Sequence, residues 1–305
     1  MDYLAPTTVE EAVGALASTL DSRVFAGATD LIPQIRSGRP EPGLLVDLKR
    51  IDRLTAVTEG AASWTIGAAA PTSSLTEDVA FSTQFPGLSE AAGLIGSDQI
   101  QNRSSLGGNL CNASPAADSV PALVVNQARA IIATAGGTRT ITVDQVATAP
   151  GRTSLEPGEF IVEFEVDKPP ARTGDAYLRM TPRTEMDIAV VGAGARITLD
   201  ADGNCTEARI ALGAVAPTVR RVTDAEAALV GHPITDDTLA AVAAAASAAC
   251  DPIDDKRGTI AYRKQVAGVL AKRVVKLAAE RAAGRKASAA HERKARQAGA
   301  APAQA

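Results

Sequence analysis

Aromatic residues make up only 3% of this 305-residue chain, although 46% of its residues are hydrophobic. We therefore expect a core built mainly from Ala, Val, Leu and Ile side chains. No apolar stretch approaches the roughly 20 residues needed to cross a bilayer, and the Ala-rich run Leu239 to Cys250 is typical of a packed helix. The N-terminus, Met1-Asp2-Tyr3, lacks the basic start and apolar core of a signal peptide. These absences predict a soluble, cytoplasmic protein without a membrane span.

An excess of basic residues is also missing, since the net charge is −4 and the pI is about 5.4. The composition therefore gives no indication of a basic face for nucleic acid. A chain of this length can form two or more domains with cores of their own.

Residues that bind metals are scarce. The three cysteines, Cys111, Cys205 and Cys250, are odd in number and widely spaced, which favours neither a disulfide framework nor a metal site. A [2Fe–2S] cluster normally takes four thiolates, so we do not expect one in this chain. Cys111 is interpreted as a small buried thiol. His232 and His291 lie in polar contexts, so no catalytic histidine or metal site is predicted.

The most informative segment is residues 104–118, which reads SSLGGNLCNASPAAD. The pair Gly107 and Gly108 allows a ligand to approach bare backbone and reach its N–H groups. Ser, Asn and Asp side chains surround the pair, as a phosphate or pyrophosphate requires, and no Lys is present to form a P-loop. The alternative for the glycine pair alone is a polar loop with a tight turn.

A second glycine loop, residues 24–33 (VFAGATDLIP), follows a short strand signal and leads into a predicted helix, with Thr29 and Asp30 near its start. Helix starts present free N–H groups and the positive end of the helix dipole. An ordinary strand-turn-helix is the alternative. Two such loops, about eighty residues apart, suggest one long ligand with two negative groups.

The segments FAGATDLIP and SSLGGNLCNASPAADSVPAL resemble the two FAD-binding loops of the molybdenum hydroxylase flavoprotein subunit, the medium chain of the xanthine dehydrogenase and carbon monoxide dehydrogenase type. The usual family forms are close to AGGTDLLP and TIGGNLANASPAADLPPAL. The resemblance extends over about residues 1–285, including 3–12, 65–72 and 187–191. Ala28 replaces a glycine, and because Ala carries a Cβ we expect its backbone to avoid positive φ.

The resemblance implies an α+β fold in three parts. A FAD-binding domain of the PCMH/VAO type would comprise subdomains 1–56 and 57–168, and a sheet-and-helix domain like the CO dehydrogenase flavoprotein C-terminal domain would span 169–285. The pattern itself favours a small parallel layer in 1–56 and a boundary at Pro169-Pro170. The tail 286–305 is predicted to be disordered.

Hydrophobic periodicity predicts the individual elements. Helices are expected at 9–20, 75–81, 87–95, 223–229, 235–249 and 259–283. Strands are expected at 23–25, 44–48, 64–68, 130–134, 138–143, 160–166, 176–181, 187–199 and 208–215.

The resemblance also implies the FAD-binding residues. Backbone N–H groups near 26–30 and 105–109 would hold the pyrophosphate, and a cation at Arg179 would stabilise negative charge on the flavin. The whole set is Val24, Phe25, Ala26, Gly27, Ala28, Thr29, Asp30, Leu31, Ile95, Ser105, Leu106, Gly107, Gly108, Asn109, Asn112, Ser114, Asp118, Ile161 and Arg179. Of these, Ser105, Asn109, Ser114 and Asp118 are expected to add side-chain hydrogen bonds. The alternatives are core packing for the isoleucines and an exposed salt-bridged edge for Arg179.

The function implied is electron transfer through FAD, with no catalytic acid or base in this chain. A molybdenum-cofactor large subunit would act on the substrate, and a small subunit with two [2Fe–2S] clusters would pass electrons to this FAD, in a dimer of heterotrimers. NAD⁺, a quinone or another acceptor would receive them. A stand-alone flavin reductase of the same superfamily and a flavin-free scaffold are the alternatives.

Two weaker signals remain. The run Gly192-Ala193-Gly194-Ala195-Arg196 resembles the start of a dinucleotide fingerprint, but strand-like residues follow it where a helix is required. We interpret it as a crowded sheet position. Arg257, Tyr262 and Arg263 are interpreted as a solvated helix face, with a docking surface for a partner chain as the alternative.

Overall fold

A computed structural model describes residues 1–285. Its helices are Val9–Ser18 (α1), Leu31–Arg36 (α2), Asp52–Thr55 (α3), Thr72–Glu77 (α4), Val79–Gln84 (α5), Pro86–Ala92 (α6), Asp98–Gln101 (α7), Leu106–Cys111 (α8), Ser119–Val125 (α9), Thr223–Ala227 (α10), Asp236–Ala248 (α11) and Ile260–Ala282 (α12). Its strands are Asp2–Leu4 (β1), Ser22–Phe25 (β2), Leu44–Asp47 (β3), Val57–Glu59 (β4), Ser63–Gly67 (β5), Arg129–Thr134 (β6), Gly137–Thr142 (β7), Ala147–Ala149 (β8), Arg152–Thr153 (β9), Phe160–Asp167 (β10), Thr173–Met180 (β11), Val191–Leu199 (β12), Cys205–Gly213 (β13) and Arg220–Arg221 (β14). The tail predicted to be disordered lies outside the described residues.

The N-terminal residues form a three-stranded parallel sheet in the order β1-β3-β2, which confirms the expected parallel layer. Helix α1 begins after Thr8, whose side chain accepts a hydrogen bond from the Glu11 N–H. Ala12 and Leu16 are its buried residues, and they belong to a core cluster with Val46 of β3. The sheet therefore fixes the end of β2, where the first glycine loop begins.

A five-stranded antiparallel sheet follows, in the order β4-β5-β10-β6-β7. Its core holds the single tryptophan, Trp64, whose ring lies edge-on to Phe81 with centroids 5.2 Å apart. Along the central strand β10, Phe164 and Val166 are fully buried, whereas Glu165 between them pairs with Arg129. Trp64, Phe81, Phe85 and Phe164 share this core cluster with Leu106 and Leu110 of the second glycine segment.

The C-terminal part is a four-stranded antiparallel sheet, β11-β12-β13-β14, covered on one face by α12, against which α11 packs. Its core cluster consists of Ala, Val, Leu, Ile and Cys side chains, as the composition predicts. Helix α9 packs on the other face, where a Cβ on Gly194 would lie 3.0 Å from the Pro121 carbonyl oxygen. The glycine run 192–196 is therefore a crowded sheet position, as interpreted from the sequence. None of the helices in the described part of the chain is long and apolar enough to span a membrane.

Buried polar contacts join α6 to the C-terminal part. Asp175 on β11 accepts hydrogen bonds from the N–H groups of Gly87 and Leu88, at 3.0 and 3.1 Å. Arg281 on α12 donates to the Asp175 carbonyl oxygen at 2.7 Å and forms an ion pair with Glu90. These contacts hold β11, which carries Arg179, against the middle subdomain.

Several parts of the structure differ from the sequence prediction, among them the strand expected at 187–199, which begins at Val191. Two helices, α4 and α5, replace the single helix predicted at 75–81, because Asp78 caps a new helix through the Phe81 N–H. Helices α8 and α9 occupy parts of segment 104–125 that show no clear hydrophobic periodicity. Finally, Arg263 does not lie on a solvated face, because it is 4% exposed and donates to the carbonyl oxygens of Val190 and Ala214.

Candidate functional site

The two glycine loops lie against each other. A Cβ on Gly27 would be 1.8 Å from the Arg103 carbonyl oxygen and 3.0 Å from the Ser104 nitrogen. On the other side of the contact, the Gln34 side-chain amide of α2 donates to the Asn112 side chain at the end of α8, at 2.9 Å. The absence of a side chain at position 27 is what allows the loops to touch. The two loops singled out in the sequence are therefore neighbours in the fold.

The first loop exposes a run of backbone donors. Across the described chain, the N–H groups of residues 27–30 donate no hydrogen bond to a protein acceptor. Asp30 precedes α2 without a side-chain cap. Successive free N–H groups in a left-handed turn form a concave anion-binding nest. This loop therefore has the donor arrangement that a phosphate group requires.

The expectation that Ala28 avoids positive φ is wrong, because its φ is 58°. The left-handed conformation costs an alanine about 1–2 kcal/mol. The surrounding contacts impose it, since the Ala28 carbonyl oxygen accepts from the Ile32 N–H at 3.1 Å and Gly27 is held against Arg103. Strain of this kind is typical of ligand-binding turns.

Lys49 was not predicted from the sequence, yet its side chain binds the backbone at the start of the first loop. Its ammonium group donates to the Ala26 carbonyl oxygen at 2.9 Å, pairs with Asp47 at 2.6 Å, and lies 4.4 Å from the centre of the Phe25 ring. The lysine thus fixes the end of β2 and the start of the turn. Val24 and Leu31, at the two ends of the predicted binding stretch, are half-buried.

In the second loop the two glycines have different roles. Gly107 is buried, and a Cβ there would lie 2.5 Å from the Ala68 carbonyl oxygen, so packing requires the glycine. Gly108 is exposed, and a Cβ there would meet only the Ser105 Oγ, at 3.3 Å. Leu106 is 1% exposed and belongs to the core. Gly108 therefore leaves room for a ligand to approach. The N–H groups of residues 107–109, however, all donate within the protein, so the expectation that they are free for a pyrophosphate is wrong.

The side chains of the second loop also stabilise its own helices. The Ser105 Oγ caps α8 by accepting from the Gly108 N–H at 3.1 Å. The Asn109 Oδ1 accepts from the N–H and the hydroxyl of Ser119, at 3.2 and 2.6 Å, and so holds the start of α9. Ser114 is exposed, and its Oγ accepts from the Ala116 N–H at 3.3 Å.

The candidate site includes a buried ion pair between Asp118 and Arg179. Asp118, immediately before α9, accepts hydrogen bonds from Arg179 at 2.6 Å and from the Tyr177 hydroxyl at 2.9 Å. The side chains of Asp118 and Arg179 are 10% and 6% exposed, so Arg179 does not belong to the exposed edge, where Arg183 and Asp187 form their own pair. Burial raises the pKa of Asp118 to about 6, and the nearby Arg179 guanidinium opposes that rise.

The guanidinium group of Arg179 has N–H donors beyond the one that binds Asp118. Among residues 1–285, only one of its terminal nitrogens donates to a protein acceptor, the one that binds Asp118. Tyr177 was missed in the sequence, although residues 177 and 179 share one face of β11 by strand alternation. The pattern of that strand could have indicated it.

The two predicted isoleucines differ in their surroundings. Ile161, in β10, is 3% exposed, pairs in register with Ile132 and belongs to the core of the middle subdomain. Ile95 follows α6 and is half-buried. Core packing, the alternative reading, accounts for Ile161.

Together these features fit a long cofactor with a pyrophosphate group. The nest at 27–30 and the other N–H groups of Arg179 supply separate contacts for anionic and polar groups, and Gly108 leaves room for a ligand beside the second loop. Cavities of about 390 and 610 Å³ are lined by C-terminal residues such as Ile234 and Val269, and by none of the loop residues. Within residues 1–285, no group of His, Cys, Asp and Glu side chains is arranged to hold a metal ion.

Residues 1–169 match the family described as the FAD binding domain in molybdopterin dehydrogenase. The chain belongs to this family. Residues 176–278 match the CO dehydrogenase flavoprotein C-terminal domain. The family membership, the α+β fold and FAD as the cofactor of this chain are therefore confirmed, and so is its place as a flavoprotein subunit of an oxidoreductase.

The similarity to individual members of the family covers nearly the full chain. The alpha subunit of the 6-hydroxypseudooxynicotine dehydrogenase complex of Paenarthrobacter nicotinovorans is 33% identical over 291 residues, which is 95% of this chain and 98% of the relative. The carbon monoxide dehydrogenase medium chain of Hydrogenophaga pseudoflava is 32% identical over 284 residues, with 92% and 98% coverage. The solved structure of a carbon monoxide dehydrogenase from that organism superposes with a TM-score of 0.88 at 33% identity, covering 92% of this chain and 98% of the other.

Proposed function

We propose that this flavoprotein subunit takes electrons from a partner [2Fe–2S] subunit and passes them to NAD⁺, a quinone or another acceptor. A molybdenum-cofactor large subunit would act on the substrate, in a dimer of heterotrimers located in the cytoplasm. The single observation that carries the FAD site is the direct contact between the two glycine loops at Gly27 and Arg103. The partner subunits are supported by the relatives, which are named as a complex subunit and as a medium chain.

We infer that the predicted FAD set acts in three groups. The N–H groups of 27–30 would hold the pyrophosphate, and the missing side chain at Gly108 would let it approach the second loop. Asp118 and Arg179 would fix the polar part of the cofactor through charge and hydrogen bonds. The remaining members, including Ile95, would position these groups and limit the access of water. FAD, when bound, supplies the electron-carrying chemistry, and the protein supplies binding, orientation and electrostatics.

The same proposal gives a role to three parts of the chain. The subdomains 1–56 and 57–168 would enclose the cofactor, and the domain 169–285 would cover it through β11. The stand-alone reductase is the less favoured alternative, because the two relatives match 95% and 92% of the chain and are named as a complex subunit and as a medium chain.

The first experiment is an absorption spectrum of the purified chain, followed by FAD titration of any apoprotein. Gly108→Ala is the informative variant, because the added Cβ meets only Ser105 Oγ in the protein but projects from the open backbone of the second loop. We expect at least a tenfold weaker FAD affinity, with the free energy of unfolding of the apoprotein unchanged or raised by about 0.5–1 kcal/mol.

Gly14→Ala is the matched control. Gly14 lies inside α1, and a Cβ there would meet no atom within 4 Å. It should give the same small gain in stability and leave FAD affinity unchanged. A chain that neither carries nor takes up FAD would contradict the proposal, and equal FAD affinity in both variants would remove the second loop from the site.

A further inference from the structure

We propose that Tyr177 is a positioning residue of the FAD site, which acts through Asp118 to fix Arg179. This inference rests on the proposed FAD-binding role of the two loops. Tyr177 is 2% exposed and lies two residues before Arg179 on the same face of β11. Its hydroxyl donates to Asp118 Oδ1 at 2.9 Å, whereas Arg179 donates to Asp118 Oδ2 at 2.6 Å.

The two hydrogen bonds occupy both oxygens of one carboxylate, so they fix its rotation. With Oδ1 held by tyrosine, Oδ2 faces Arg179 and leaves the other guanidinium nitrogens of Arg179 available to an acceptor. Asp118 also immediately precedes α9 and ends the second glycine segment. The hydroxyl of Tyr177 therefore connects the backbone of the second loop to the cation on β11.

The neighbouring strand, β12, leaves space for the Tyr177 hydroxyl at Gly192. Gly192 on β12 is the Cα partner of Arg179, and a Cβ on Gly192 would lie 2.4 Å from the Tyr177 hydroxyl oxygen. Any larger residue at 192 would displace the hydroxyl from its present position. The glycine thus has a specific role, which is to leave room for the hydrogen bond to Asp118.

The charges around Asp118 give the interaction a pH dependence. The side chains that act on its carboxyl group are Arg179 and Tyr177, both from β11. Gly192 of β12 carries no side chain, α9 has no ionisable residue, and α8 has only Cys111, whose pKa is raised to about 12 by burial. Since the pKa of Asp118 is about 6, its carboxylate is lost as the pH falls through that value, and the pair with Arg179 is lost with it.

The hydroxyl of Tyr177 stabilises the ionised form of Asp118. Its removal should therefore raise the pKa of Asp118 further and shift the loss of FAD to higher pH. We expect Tyr177→Phe to weaken FAD binding at pH 7 about tenfold and to move the midpoint of FAD release upward by about one pH unit. Gly192→Ala should reproduce both effects with the tyrosine still present.

The experiment is FAD titration of the full chain between pH 5 and pH 8, followed by flavin fluorescence, with thermal unfolding of each apoprotein alongside. Tyr262→Phe is the matched control, because it removes a tyrosine hydroxyl that contacts Met180, at 3.3 Å, and lies outside the proposed site. It should keep the wild-type affinity and midpoint.

The possible outcomes separate the two proposals. Wild-type protein that does not bind FAD at any pH would contradict the proposed function itself. Normal FAD binding by the wild type, with an unchanged midpoint in a folded Tyr177→Phe protein, would overturn the role of Tyr177 alone. Weaker binding with an unshifted midpoint would also overturn it, because a loss of packing changes affinity without changing the protonation of Asp118.

Discussion

Replacement of Gly27 by alanine should separate the two glycine loops. The new Cβ would lie 1.8 Å from the Arg103 carbonyl oxygen, whereas ordinary contacts begin at 3.4 Å. The loops must therefore move apart by about 1.6 Å, since the obstacle is backbone that cannot rotate away. Overpacking of this kind typically costs about 1–3 kcal/mol. Because the moving atoms belong to both halves of the site, FAD affinity should fall together with stability.

Urea unfolding of the apoprotein and FAD titration at pH 7 measure the two effects separately. Gly27→Ala should lower the free energy of unfolding and raise the dissociation constant of FAD, whereas Gly108→Ala should raise the dissociation constant without lowering the free energy of unfolding. Gly14→Ala remains the control for a simple glycine-to-alanine change within α1. Wild-type stability together with wild-type FAD affinity in Gly27→Ala would refute the contact between the loops.

Two further predictions concern the ion pair of Arg281 and the three cysteines. Arg281→Ala removes the ion pair with Glu90 and the bond to the Asp175 carbonyl oxygen, and urea unfolding should show a loss of about 1–3 kcal/mol; an unchanged midpoint would mean that this junction contributes nothing. Burial raises the pKa of the thiols to about 12 for Cys111 and about 11 for Cys205 and Cys250, so iodoacetamide at pH 8 should label them slowly in the folded protein and quickly in urea. Fast labelling of the native protein would contradict that burial.

Regular elements with a strong hydrophobic period were predictable from the sequence. The helix predicted from residue 9 is α1, and the strand predicted at 160–166 is β10, because each buries one set of alternating or helically spaced side chains. Helix α8 could not be predicted in this way, since its six residues, LGGNLC, include two glycines and form fewer than two helical turns. Its start depends on the Ser105 cap and on packing of Gly107 against Ala68.

The site was predictable as a set of loops but not as a set of contacts. The left-handed backbone at Ala28 follows from the neighbouring contacts of the loop and contradicts the local preference of alanine. Asp118 and Arg179 are separated by 61 positions, so no local pattern relates them. Arg263 reads as a surface residue by its charge, yet the carbonyl oxygens of Val190 and Ala214, next to the ends of β12 and β13, accept its hydrogen bonds inside the protein.

The hydrogen bonds from Tyr177 and Arg179 to Asp118 cross the boundary between the two matched regions, 1–169 and 176–278. With the FAD-binding role proposed for Asp118 and Arg179, FAD binding and the association of these regions would be thermodynamically linked, and a cofactor that prefers the assembled site would also favour the domain interface. For the same reason, the regions are not independent modules. A chimera joined at Pro169-Pro170 would need a carboxylate from one parent and a tyrosine and a cation from the other. It would also need glycines in β12 that leave room for α9 of the other parent.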